Sequence, residues 1–300
     1  MNYDHHLTSL PWSDYELLDS GDNMKLERFG EIIVARPETQ ALWAKQKPEL
    51  WENAQAVFAF RDKKGAWDVR KPVPESWELS WRDARFTAEL TGFKHTGVFP
   101  EQAPNWEWLA GQVEAKNGSH APSVLNLFGY TGIASVVAAQ AGAKVTHVDA
   151  SKQSLDWAHE NARRSGVSED AIRWILDDAL AFAKREARRG ALYDGIILDP
   201  PAFGRGAKGE VWKIEEALPE LLESLKKILS DDPGSFFLMS GYAAGYSPRA
   251  FAQAVESVFG DTNGECGELF IQEAHSERPT SSELRRARVI PAGIYVRFTQ

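Results

Sequence analysis

The sequence predicts an α/β fold, a mainly parallel sheet with helices on both faces, preceded by a small β-rich N-terminal domain. Three observations carry that prediction. From Ser123 onward, apolar runs of strand length alternate with longer amphipathic segments, the order that builds a parallel sheet through helical crossovers. Within that part, residues 124 to 149 read as strand, glycine turn, small-residue helix and strand, and they end on an acidic residue. Before residue 80 the chain instead carries short apolar runs broken by turn residues, the pattern of hairpins.

The N-terminal runs are Tyr15 to Asp19, Lys25 to Ala35, Ala56 to Phe60 and Trp67 to Arg70, with turns at Ser20-Gly21-Asp22-Asn23 and Asp62-Lys63-Lys64-Gly65. Residues 1–80 are therefore expected as a β-rich appendage, with Pro72 and Pro74 near its end, and residues 81–300 as the larger domain. Eight of the eleven tryptophans precede residue 110. A small domain fills a limited core with large rings, and such rings can also stack on unpaired bases. Thr91 to Gln102 follows, with Gly92 and Gly97 in an extended context, a sign of close backbone approach. A helix is expected over Asn105 to Lys116, with Trp106, Leu109 and Val113 on one face.

In the larger domain, helices are expected at Ile133 to Ala141, Lys152 to Ser165, Ala179 to Arg189, Ile214 to Leu229 and Pro248 to Phe259. Strands are expected at Val124 to Leu127, Lys144 to Val148, Ile172 to Leu176, Tyr193 to Leu198, Ser235 to Met239, Glu268 to Ala274 and Gly293 to Phe298. The last two have no helix between them, so an antiparallel pair at one edge is expected.

Composition narrows the functional classes. A net charge of -9 and a pI near 5.4 count against a protein-wide basic footprint for nucleic acid. Screening over about 8 to 10 Å still lets a local basic face act by itself. Short basic clusters occur at Arg163-Arg164, Lys184-Arg185 with Arg188-Arg189, Arg205 with Lys208 and Lys213, and Arg285-Arg286 with Arg288. No apolar run approaches the roughly twenty residues of a membrane span, and the N-terminus lacks a basic start and apolar middle. A cytoplasmic location is expected. The single cysteine, Cys266, excludes an internal disulfide and a cysteine-based metal cluster, and no metal is expected.

Ligands of open α/β sheets bind beyond the carboxyl ends of the strands. Four features fall there: the turn Phe128-Gly129-Tyr130-Thr131-Gly132, then Asp149, then Asp177-Asp178, and Asp199-Pro200-Pro201-Ala202-Phe203. Asp149 stands about twenty residues after the glycine turn, the layout of a nucleoside-binding unit whose carboxylate accepts ribose hydroxyls. Asp177-Asp178 suits either a helix N-cap or an acceptor for the exocyclic amine of adenine. Two consecutive prolines fix the chain and remove two amide donors. The loop after Asp199 thereby becomes a rigid acceptor site beside an aromatic ring, suited to a flat nitrogenous ring.

These four features look like motifs I to IV of class I S-adenosylmethionine-dependent methyltransferases, enzymes with a Rossmann-like sheet and an antiparallel last strand. The wording Asn-Leu-Phe-Gly-Tyr-Thr-Gly, with Thr96-Gly97-Val98-Phe99 upstream, resembles more closely the bacterial ribosomal RNA large-subunit methyltransferase group. The resemblance covers roughly residues 90 to 300. It implies S-adenosylmethionine as cofactor, with the turn from Asn126 through Phe128 to Gly132 facing its methionine part and Asp149 and Ser151 near the ribose. Asp178 with Asp177 would meet the adenine, and Thr96, Phe99 and Gln102 would close the pocket. Asp199 and the Pro200 carbonyl would accept from the substrate base, with Pro201 stiffening the loop and Phe203 stacking.

The implied reaction is methylation of a base nitrogen in ribosomal RNA. A small-molecule or protein acceptor, and a non-catalytic nucleoside-binding module, are the other readings the residues allow. Two departures from the family pattern stand out. Asn126, Phe128 and Tyr130 occupy an acidic and two glycine positions of the generic turn. Where a cytosine-5 enzyme carries its cysteine nucleophile, this chain reads Ser240-Gly241-Tyr242.

Overall fold

The computed structural model describes residues 1–61, 64–118, 120–206, 209–242, 245–274 and 288–300. In chain order the elements are β1 (Asn2–Ser9), β2 (Tyr15–Gly21), β3 (Met24–Phe29), β4 (Ile32–Pro37), β5 (Ala56–Arg61), β6 (Lys64–Val69), β7 (Trp77–Trp81), β8 (Ala84–Ala88) and α1 (Ala103–Lys116). Then come β9 (Ser123–Leu127), α2 (Ile133–Gln140), β10 (Lys144–Asp149), α3 (Lys152–Arg164), β11 (Ile172–Leu176), α4 (Ala179–Arg189), β12 (Gly195–Leu198), β13 (Phe203–Arg205) and β14 (Val211–Lys213). The last are α5 (Ile214–Lys226), β15 (Phe236–Gly241), α6 (Pro248–Phe259), β16 (Glu265–Gln272) and β17 (Val289–Thr299).

Two compact units result. One joins Thr8–Ala103 to Phe270–Ala292, and the other joins Met1–Leu7, Pro104–Leu269 and Gly293–Gln300. The first, β-rich unit runs past the expected residue 80 because the β7–β8 hairpin belongs to its core. Leu79 and Phe86 are buried there, and Asp14 accepts from the Ser80 amide at 2.7 Å and the Ser80 hydroxyl at 2.6 Å.

The β-rich unit holds a five-stranded sheet in the order β2-β3-β4-β5-β6. The run expected as one strand from Lys25 to Ala35 is two, because Gly30, at φ 61°, turns the chain between β3 and β4. The tryptophans mostly fill and cap this unit. Trp51 donates to Asp19 at 2.8 Å, Trp43 to Ser20 at 3.0 Å and Trp67 to the Thr91 carbonyl at 2.9 Å. The expected turn at Asp62-Lys63 lies outside the described residues.

The other unit is built on an eight-stranded sheet in the order β1-β16-β17-β15-β12-β9-β10-β11. β11, β10, β9, β12 and β15 are mutually parallel and β17 runs antiparallel to β15. Alternation along the strands sorts the core. Leu125, Leu127 and Val148 join Phe182, Leu221, Leu222, Leu225, Phe237, Phe251 and Val255 in one cluster with α4, α5 and α6. Each such fully buried side chain contributes about 1.5–3 kcal/mol. Asn126 and its register partner His147 point to the opposite face, toward Ser135 of α2.

The parallel part of this sheet starts at β9, fills one side through β10 and β11, then returns to β12. The strand order therefore reverses between β9 and β12, a topological switch point whose carboxyl side forms the crevice. One expectation about the edge changes. β16 and β17 are neighbours, but the polar N-terminal segment forms β1 outside β16, so they are not the terminal pair.

Candidate active site

At the end of β9 the chain turns back on itself with Phe128 at φ 56°, Tyr130 at φ 48° and Gly132 at φ 79°. Bulky residues in this left-handed region cost about 1–3 kcal/mol each and persist where the surroundings over-determine them. The turn thus keeps a glycine-type backbone while carrying two aromatic side chains. It is closed by Gly129 N donating to the Val148 carbonyl at 3.1 Å and Gly132 N to the Gly129 carbonyl at 2.9 Å. Asn161 of α3 donates to the Thr131 carbonyl at 2.9 Å and fixes the turn from outside.

Gly129 rests on His147. A Cβ at Gly129 would lie 2.3 Å from the His147 Cε1 atom, so no other residue fits without displacing a buried ring. His147 is fully buried, and burial pushes its imidazole down to about 3, so the ring is neutral. The Asn126 amide donates to Ser135 Oγ at 2.9 Å, and Ser135 Oγ is 2.9 Å from His147 Nδ1. Ser135 Oγ therefore links the Asn126 amide and the His147 ring in one buried chain. Asn126, expected as a cofactor residue, is buried in this chain beneath the turn.

Asp149 closes β10, half-buried. Its Oδ2 accepts from Tyr130 N at 2.9 Å and its Oδ1 from Ser151 N at 2.8 Å. Burial raises its carboxyl against those backbone bonds. Each carboxylate oxygen accepts more than one hydrogen bond, so acceptor capacity remains for two vicinal hydroxyls. Ser151 is also the N-cap of α3, its Oγ accepting from Ser154 N at 3.2 Å. The close-packed turn and this oriented carboxylate fit the nucleoside and methionine parts of S-adenosylmethionine.

The Asp177-Asp178 pair divides its work. Asp177 Oδ2 is bonded by Arg185 at 2.5 Å and its Oδ1 by Asp178 N at 3.0 Å. Asp178 caps α4, with Oδ1 accepting from Ala181 N at 2.8 Å. Asp178 is thus an N-cap, and its second oxygen accepts nothing among the described residues.

Asp199 follows β12 at the same sheet edge. Burial pushes its carboxyl up to about 6, partly opposed by a hydrogen bond from Ser240 near the end of β15. Pro200 is buried, Pro201 is exposed, and Phe203 is 58% exposed. Trp212, the residue that fixes this loop, carried no signal in the sequence. Its indole donates to the Pro201 carbonyl at 2.6 Å, and its ring meets Phe128 edge-on at 4.9 Å. His147 was equally unmarked, because a histidine inside an apolar strand carries no pattern of its own, and Ser240 was marked only as the residue in place of a cysteine nucleophile, not as a partner of Asp199.

Thr96, Phe99 and Gln102 belong to the β-rich unit. Thr96 is buried, its carbonyl accepts from Glu89 N at 3.1 Å, and its Oγ1 has no partner among the described residues. Cys266 is buried within β16 rather than preceding a strand.

The basic clusters are mostly structural. Arg163 and Arg164 pair with Glu160, Lys184 with Glu220, Arg185 with Asp177 and Arg189 with Glu186. Arg288 pairs with Asp19 and with Glu273 within the β-rich unit. Lys208, Arg285 and Arg286 lie outside the described residues, and Arg205 and Lys213 remain beside the acceptor loop.

Comparison with known proteins agrees with this fold. A ribosomal RNA large subunit methyltransferase K/L from Shewanella frigidimarina is 36% identical over 149 residues, 49% of this chain and 20% of that protein. The same-named protein of Pseudoalteromonas atlantica is 30% identical over 215 residues, 71% of this chain and 28% of that protein. This chain therefore spans less than a third of the length of these curated relatives. Among solved structures, the SAM-dependent methyltransferase from Agrobacterium tumefaciens superposes with a TM-score of 0.90 at 40% identity, covering 99% of this chain and 95% of that one. SMU.776, solved in complex with SAH, superposes with a TM-score of 0.69 at 20% identity over 96% of this chain and 76% of the other, a likeness of fold. Residues 38–245 match the family model of S-adenosylmethionine-dependent methyltransferases, and the chain belongs to that family.

Proposed function

We propose that the protein methylates a ring or exocyclic nitrogen of a base in large-subunit ribosomal RNA. The observation that carries this reading is the acceptor loop. Asp199 is a carboxylate held at the sheet edge with its pKa near 6, on a loop stiffened by two prolines and ending in an exposed ring. A carboxylate so placed accepts a hydrogen bond from a base N–H, and Phe203 offers a face to the same base. The names of the relatives support RNA as the acceptor.

Bound S-adenosylmethionine supplies an electrophilic methyl group. Asp149 would receive the ribose hydroxyls, Asp178 the adenine amine, and the Asn126-to-Gly132 turn the methionine part. The family resemblance assigns Thr96, Phe99 and Gln102 to cofactor binding as well. Asp199 and the Pro200 carbonyl hold the acceptor nitrogen, and alignment at about 3 to 3.5 Å supplies most of the rate gain. A base within structured RNA is first extruded from its stack.

Ser240 at the cytosine-5 nucleophile position, bonded to Asp199, and the burial of Cys266 both support nitrogen over covalent carbon chemistry. The β-rich N-terminal residues serve RNA recognition in this reading. The site of action is the cytoplasm, and no helix among the described residues is long and apolar enough to cross a membrane.

Mass spectrometry of large-subunit ribosomal RNA from a strain lacking the protein tests the reading. Loss of one methylated base is expected, restored by the wild-type gene and not by Asp199→Ala. An unchanged modification profile sinks the ribosomal assignment and leaves a small-molecule or protein acceptor. Restoration by Asp199→Ala points instead to a non-catalytic nucleoside-binding module.

A further inference from the structure

We propose that the outer face of the β13–β14 hairpin docks the single-stranded nucleotides flanking the target base. Arg205 and Lys213 meet their phosphates, and Phe203 and Val211 support their rings. The proposal rests on RNA being the acceptor, and its test separates the two.

The hairpin is short, and its register fixes its two faces. Phe203 pairs with Lys213, Gly204 with Trp212 and Arg205 with Val211. Directly opposed residues of an antiparallel pair share a face, so Phe203, Arg205, Val211 and Lys213 form one face, with Gly204 and Trp212 on the other. The inner face is anchored. Trp212 is only 3% exposed and bonds the Pro201 carbonyl.

Among the described residues no element covers the outer face. Phe203 is 58% and Val211 56% exposed, and Arg205 is exposed as well. Arg205 has no ion pair among the described residues. Lys213 pairs with Glu216 at 2.7 Å, but both side chains are substantially exposed, and such surface pairs are weak enough for a phosphate to displace. Glu210 packs beside Gly206 at the other end of the described hairpin.

Alternating cations and apolar surface, begun by an exposed ring, match a chain of phosphates and π-faces. The acidic remainder of the protein makes this local complementarity more telling, since screening confines each charge to about 8 to 10 Å. The hairpin starts four residues after Asp199, so nucleotides on its face are neighbours of the base held there.

The test measures binding of unmodified large-subunit ribosomal RNA, transcribed in vitro, across a salt series for wild type, Arg205→Gln, Lys213→Gln and the double variant. Each lost phosphate contact on a single strand should lower the slope of log K against log salt by about 0.7, and the double variant by about 1.4. S-adenosylmethionine affinity should be unchanged, which also reports folding. Arg205→Lys should keep the wild-type slope, and Phe203→Ala should weaken binding about fivefold to a hundredfold. If wild type methylates this RNA and the double variant keeps its slope, the docking face is wrong and the ribosomal reading stands. If wild type neither binds nor methylates it, both fall.

Discussion

Trp212 and Pro201 are joined by an indole-to-carbonyl hydrogen bond of 2.6 Å, and the same indole ring packs edge-on against Phe128 at 4.9 Å. One side chain therefore ties the loop that follows Asp199 to the turn that follows β9. Trp212→Phe keeps an aromatic against Phe128 but removes the donor together with part of the ring volume. The lost hydrogen bond alone should cost about 1 kcal/mol in stability and the smaller ring adds to it, with a larger proportional fall in single-turnover methyl transfer than in S-adenosylmethionine affinity. Trp212→Ala opens a cavity and should cost about 3–5 kcal/mol. Thermal unfolding and single-turnover rates check this, and a Phe variant with wild-type turnover would show that the loop holds itself.

Asp199 predicts a pH dependence of known sign. Burial holds its pKa near 6, above the ordinary range, so the acceptor carboxylate is lost as pH falls through about 6. The value of kcat/KM should rise with pH below that point and level off above it. Ser240 opposes the upward shift, so Ser240→Ala should move the limb to higher pH. In Asp199→Asn the limb should vanish along with most activity. A wild-type limb below pH 4.5 would mean that some other group controls the rate.

Gly129 and His147 form a pair whose volumes are matched, since a Cβ on Gly129 would sit 2.3 Å from the ring. Gly129→Ala should weaken S-adenosylmethionine binding at least about tenfold, because the turn must shift to accommodate a buried ring. His147→Ala removes the obstacle, so the double variant should recover part of that affinity. Calorimetric titration of the four proteins measures the coupling. Strict additivity would show that the turn moves independently of the ring beneath it.

Much of this was legible because the signals were long and periodic. β9 to β12 are apolar runs and α3, α4 and α6 carry clear caps, so their bounds fall within two residues of expectation. β1 was not legible. Its sequence, Asn2 to Ser9, is polar because it lies at the sheet edge and alternates toward solvent. β13 and β14 have three residues each, below the length at which period-two alternation differs from chance. Asp149 and Asp199 could be named from their places at strand ends. The left-handed backbone at Phe128 and Tyr130 could not, because local propensity assigns that conformation to glycine, and it is held by residues distant in sequence, among them Asp149, His147 and Asn161.

Two buried glutamates of the β-rich unit should titrate stability in opposite directions. Glu27 accepts from Arg36 at 2.5 and 2.9 Å and from the Tyr15 hydroxyl at 2.9 Å. Burial alone would raise its carboxyl, but Arg36 and Lys25 hold it at about 2. Its stabilisation is complete above the unfolded value of 4.5 and is lost as pH falls through about 2. Glu101 is 6% exposed, and burial lifts it to about 7 against Lys25 and Arg36. The folded protein therefore favours its protonated form, a contribution present below 4.5 and lost as pH rises through about 7. Glu101→Gln keeps the shape and abolishes the ionisation. It should stabilise the protein by roughly 3 kcal/mol at pH 8 and have little effect at pH 4.5. Glu27→Gln should cost about 3–5 kcal/mol at pH 8, because it leaves Arg36 buried without its partner charge. Denaturation at the two pH values decides it, and a Glu101→Gln variant less stable than wild type at pH 8 would show that Lys25 and Arg36 outweigh burial at that site.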